Sequence, residues 1–107
     1  MILIGVKNNQ MEFKNGLLYV TSGKNEVTIP LRQIVSVRMI KPGLMSNGVL
    51  YVITPGSKNL TKAHVTPVEA MMDTGAIAFT KSQLPQAERF KKALEYAIAQ
   101  GGYHGKD

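Results

Sequence analysis

The apolar runs of this sequence are short and patterned for strands until the last one, which is patterned for a helix. Leu84, Ala87, Phe90, Leu94, Ala97 and Ile98 recur at the three-and-four spacing of one helical face. Upstream lie about six or seven short β-rich runs separated by turn residues. Strands that all come before the helix have no crossover helix to join them in parallel, so antiparallel pairing follows. The expected fold class is mainly β with one C-terminal helix, from about Ser82 to Gln100, covering a sheet or plugging a barrel end.

The stretch from Val27 to Thr54 carries most of the β signal. Val27 and Ile29 share one face, and Pro30, with no amide to donate, should end that strand or keep it at an edge. Leu31 to Ile34 reads as a corner. Val35, Val37 and Met39 then alternate with Ser36, Arg38 and Ile40, which predicts one buried and one mostly wet face. Pro42-Gly43 and Asn47-Gly48 bound a loop, and Val49 to Ile53 is continuously apolar, the pattern of a central strand.

Ile2 to Lys7 reads as a short edge strand. Met11 to Lys14 and Leu17 to Thr21 flank Asn15-Gly16, which suits the positive φ angles of a type I′ hairpin turn. Ser22 to Asn25 is a second turn. Residues 58–75 admit two readings. His64-Val65-Thr66 is preferred as strand, while Thr66-Pro67-Val68-Glu69 also fits a capping box with Pro at the first helical position. Ala76 to Thr80 is the last strand. Ser82 is a candidate helix cap, Glu88 and Lys92 stand four apart on the outer face, and Gly101-Gly102 should stop the helix. Tyr103 to Asp107 is expected to be a flexible tail.

A chain of 107 residues fits one domain spanning 1–107, large enough for a single core. There is no cysteine, hence no disulfide framework or thiolate chemistry. The N-terminal apolar run is too short for a secretory signal, and no run approaches the roughly 20 residues a membrane helix needs. A soluble, cytoplasmic protein is the expectation. Residues 1–66 hold Lys7, Lys14, Lys24, Arg32, Arg38, Lys41, Lys58 and Lys62 against Glu12 and Glu26, so the whole net charge of +6 sits on the β part. Such a surface attracts anionic partners, although a small domain commonly carries a net charge of about 2–8 for solubility alone.

Ile29-Pro30-Leu31, then Gln33-Ile34 and Val37, then Pro42-Gly43, then Asn47-Gly48 before an apolar strand, form a pattern that resembles bacterial pleckstrin-homology-like (PH-like) domains. More narrowly, it resembles an uncharacterised bacterial family in which a strand ending in Phe, here Ile77-Ala78-Phe79, precedes a helix. The resemblance covers about residues 11–99 and rests on core and turn positions. It implies a bent seven-stranded antiparallel barrel or half-barrel capped by the C-terminal helix.

The residues give no active site. His64 has no Cys, Asp or Glu at ligand spacing, and His104 lies in the Gly-flanked tail, so no metal and no cofactor are expected. No nucleophile elbow is present, and the glycines of the 42–48 loop lack the Lys-Ser/Thr of a phosphate loop. The expectation is a protein that is not an enzyme but a binding or scaffold module. Protein contact or self-association is favoured, because PH-like sheets leave an edge strand and a helix-flanked groove for strand addition. An anionic lipid surface is the alternative, with Leu44 and Met45 at a loop tip above Arg38 and Lys41. Nucleic acid is a second alternative, for which only Tyr19 and Tyr51 are available as surface aromatics. The candidate interaction surface is Arg38, Lys41, Leu44, Met45, Lys14 and Lys58. Met71-Met72 is either core filler or an adaptable contact.

Overall fold

The computed structural model describes residues 1–101. Gly102 and the tail from Tyr103 to Asp107, His104 included, lie outside the described residues.

Seven strands form two antiparallel sheets. The first has the order β1-β2-β3-β4, with β1 Ile2–Ile4, β2 Gln10–Lys14, β3 Leu17–Ser22 and β4 Asn25–Pro30. The second has the order β5-β6-β7, with β5 Ser36–Ile40, β6 Gly48–Ile53 and β7 Ala76–Phe79. Among the described residues, no ladder joins the two sheets. The turn between β2 and β3 has φ of 54° at Asn15 and 79° at Gly16, the pair of positive angles that a type I′ turn demands. Pro30 closes β4, the outer strand of its sheet, where a missing amide donor costs least.

One core lies between the two sheets and the C-terminal helix, α2 (Leu84–Ala99). Met11, Leu18 and Val20 come from the first sheet, Leu50, Val52, Ile77 and Phe79 from the second, and Ala87, Phe90 and Leu94 from the helix. The Phe90 ring meets Phe13 edge-on, with centroids 5.4 Å apart. A 3-10 turn, Lys81–Gln83, leads into α2. The turn is capped at Thr80, whose amide donates to Gln83 Oε1 at 2.8 Å, while the N-cap position of α2 falls on Gln83, so the expected cap Ser82 caps neither. Gly101 ends the helix with φ of 91°.

A second, smaller core covers the other face of the second sheet. Val49, Tyr51, Ile53 and Ala76 are buried there beneath residues 54–75, with Ala70 of a short helix, α1 (Pro67–Met71). This explains why β6 is buried at every position, as an apolar run without alternation requires.

Four expectations need correction. The strand preferred at 63–66 is absent. Thr66 instead caps α1, its hydroxyl accepting the Glu69 amide at 3.2 Å while Glu69 Oε1 accepts the Thr66 amide at 2.9 Å. The outer face of β5 is not wet, because the 54–75 segment covers it and half-buries Ile40. Val35 is exposed rather than inward: the 3-10 turn at Leu31–Gln33 buries Leu31 and Ile34, three apart, and leaves the next side chain outside. The first strand ends at Ile4 rather than Lys7, since Gly5 turns the chain toward Asn9.

Candidate interaction surfaces

The second sheet positions every candidate except Lys14. On β5, Val37 and Met39 face the main core, while Arg38 faces the 54–75 cover. Arg38 Nη1 donates to the Asn59 carbonyl at 3.3 Å and the Lys62 carbonyl at 3.4 Å. Its guanidinium therefore ties the cover to the sheet edge. Lys41 follows β5 and pairs with Glu88 of α2 at 3.7 Å, with its side chain 71 % exposed. Lys58 lies in the cover, where its amide donates to Asp73 Oδ1 at 3.0 Å. Lys14 stands at the other end of the first sheet, its ammonium 5.8 Å from the Tyr19 ring centre. Leu44 and Met45 project at the β5–β6 loop tip, 90 % and 94 % exposed. The six candidates divide among several places: Arg38 and Lys41 both line the groove between β5 and α2, Leu44 and Met45 form the loop tip just beyond Lys41, and Lys14 and Lys58 lie on other elements.

Two of the expected contact aromatics and sulfurs are also inside. Tyr51 is buried in the second core, which removes it as a stacking platform, and Met71 packs against the same cluster. Met72 is exposed.

A groove of about 680 Å³ lies between β5 and α2. Val37, Arg38, Met39, Lys41 and Tyr51 line its sheet side, and Glu88, Lys91, Lys92 and Glu95 form the helical wall. The groove touches residues from both faces of β5, so it runs along the outer edge of that strand. Lys91 and Glu95 pair across one helical turn at 2.8 Å. The sequence could not single out this wall, because an i, i+4 charge pair on a helix looks the same whether it faces water or a groove. The opposite edge of the same sheet is closed. On β7, the Ala78 carbonyl accepts the Val6 amide at 3.0 Å and its amide donates to Asn9 Oδ1 at 3.2 Å.

The buried polar residues Asn59 and Asp73 both belong to the cover. Asn59 Nδ2 donates to Asp73 Oδ2 at 2.6 Å and to the Glu69 carbonyl at 3.0 Å. Lys62, hydrogen-bonded to the Glu69 carboxylate, and then the amide and hydroxyl of Thr66 hold the Glu69 pKa down to about 2. These carboxylates serve the cover's own structure. Among the described residues, no three His, Cys, Asp or Glu side chains converge as a metal site would need. Nor, among the same residues, is any helix long and apolar enough to cross a membrane. No family model matches the chain, and neither a curated protein nor a solved structure does.

Proposed function

We propose that the chain is a non-catalytic binding module of PH-like type that works by protein contact or self-association through the β5 edge. The PH-like assignment is supported by the element order, four strands, three strands and a terminal helix, together with the sequence pattern from Ile29 to Phe79. The functional half is carried by one observation: the groove along the outer edge of β5, walled by α2. An extended segment laid there would take main-chain hydrogen bonds from β5 and side-chain contacts from the helix. The alternatives are poorer edges. β7 is capped by Val6 and Asn9, β1 has three residues, and β4 ends on Pro30.

Light scattering separates self-association from binding to another protein. Hydrogen exchange then locates the contact. Binding by strand addition should protect β5 amides and the exposed face of α2 around Lys92. The variant Lys91→Glu with Lys92→Glu should weaken capture of the partner, or dissociate the multimer, without changing the melting temperature by more than a degree or two. A footprint on the first sheet, with β5 unprotected, would refute the proposal.

A further inference from the structure

Four strongly exposed apolar side chains gather at one end of the molecule, away from the β5 groove. Leu44 and Met45 form the loop tip, and Val68 on α1 and Met72 just after it are 72 % and 60 % exposed. Ser46, Asn47, Val68 and Met72 line the same shallow depression, so loop and helix are neighbours. Single exposed apolar residues are ordinary, but a cluster from two separate segments is not.

The charge around this cluster is net positive. Lys41 follows Ile40, which pairs with Val49, and Lys81 comes two residues after Phe79, which pairs with Gly48. Both lysines therefore stand at the tip end of the second sheet, and both are exposed. Lys7, also exposed, follows Val6 on the capped edge at Ala78. The neighbouring carboxylates, Glu88 and Glu69, are each matched by a lysine, Lys41 and Lys62.

We propose that this end is a membrane-contacting surface, which inserts Leu44 and Met45, flanked by Val68 and Met72, into the interface of an anionic bilayer. Apolar insertion and attraction of nearby lysines to anionic headgroups add together in such a contact. A second copy docked on the same surface would bring Lys7, Lys41 and Lys81 against their own counterparts, which like-charge repulsion opposes. None of the four apolar side chains lines the β5 groove, which shares only Lys41 with this end, so the two sites are tested independently.

Vesicle sedimentation tests the proposal, with phosphatidylcholine vesicles compared with phosphatidylcholine–phosphatidylserine vesicles. The chain should sediment with the anionic vesicles and weakly or not at all with the neutral ones. Leu44→Ser with Met45→Ser should lower the partition coefficient by about tenfold or more, and Val68→Ser with Met72→Ser by a smaller factor. These side chains lie outside the core, so an unchanged melting curve confirms that the variants fold. The sequence has no tryptophan, so Leu44→Trp provides a single reporter whose emission should shift to the blue on anionic vesicles. Lys91→Glu with Lys92→Glu serves as the groove control and should retain vesicle binding. Sedimentation that survives both double substitutions, the absence of any blue shift, or a multimer that dissociates on Leu44→Ser with Met45→Ser would each overturn the proposal.

Discussion

Asn9 joins the two sheets through Ala78: its Oδ1 accepts the Ala78 amide at 3.2 Å while its Nδ2 donates to the Val6 carbonyl at 2.9 Å. The Val6 amide completes the joint by donating to the Ala78 carbonyl. One side chain thus closes the β7 edge and fixes the turn after β1. Asn9→Ala should cost about 1–3 kcal/mol by leaving the part-buried Ala78 amide without a partner. Asn9→Asp keeps the acceptor but loses the donor, so it should fall between wild type and alanine in chemical denaturation. Equal stability of all three would mean that water replaces the side chain.

The same joint requires Gly5. A β-carbon there would stand against the Ala78 carbonyl oxygen, well inside contact distance, and 3.2 Å from the Asn9 side chain. The nearest obstacle is backbone and cannot rotate away. Gly5→Ala should therefore destabilise by about 1–3 kcal/mol. Gly56→Ala, where nothing lies within 4 Å, is the matched control and should leave the denaturation midpoint nearly unchanged.

Phe90 should be the most sensitive core position on α2. It is 1 % exposed and touches Phe13 edge-on. Phe90→Ala should cost about 3–5 kcal/mol, enough to unfold much of a marginal domain. A double-mutant cycle between Phe13→Leu and Phe90→Leu should return a coupling of about 0.5–1.5 kcal/mol. Additive losses would assign Phe90's contribution to burial alone.

The elements that local rules determine were legible in the sequence. Asn15-Gly16 specifies its turn type because only such residues accept two positive φ angles. The spacing of Ala87, Phe90 and Leu94 specifies a helical face. Val49 to Ile53 reads as a central strand, but the sequence does not show that its second face is covered or by what. That cover is residues 54–75, whose order rests on side-chain contacts distant in sequence: Asn59 with Asp73, and Arg38 with the Asn59 and Lys62 carbonyls. No periodicity encodes such contacts. The Thr66–Glu69 capping box is visible in the sequence, as is the competing strand near 63–66, where Val65 and Thr66 are residue types common in strands. The reciprocal hydrogen bonds outweigh that weak propensity. The candidate surface was half legible. Leu44 and Met45 stood out within a turn-rich loop, whereas Arg38 read as a surface charge because nothing local marks its carbonyl partners.

Asp73 should matter more to the cover than to the global fold. Its carboxylate accepts from Asn59 Nδ2 and from the Lys58 amide. Asp73→Ala should leave both donors short of a partner and cost about 1–3 kcal/mol. Limited proteolysis should then cut within 54–66 faster while the protection of β2 and β3 amides stays high. Uniform loss of protection would show that the cover and the main core unfold as one unit.

Glu69 makes the cover acid-sensitive. Its pKa is about 2 in the folded chain against an ordinary value of 4.5, because Lys62 and then Thr66 favour the charged form. A folded pKa below the unfolded one means that the stabilisation is fully present above about 4.5 and is lost as pH falls toward 2. Hydrogen exchange of the α1 amides and proteolysis at 54–66 should therefore accelerate through that window, before β2 and β3 respond. Glu69→Gln cannot titrate and should flatten the acid dependence of the cover, at the cost of a looser cover near neutral pH. Lys62→Ala removes the largest cause of the depression. It should move the onset of loosening toward the ordinary carboxylate range and leave a smaller total change. If wild type and Glu69→Gln show the same acid profile, another carboxylate governs the cover.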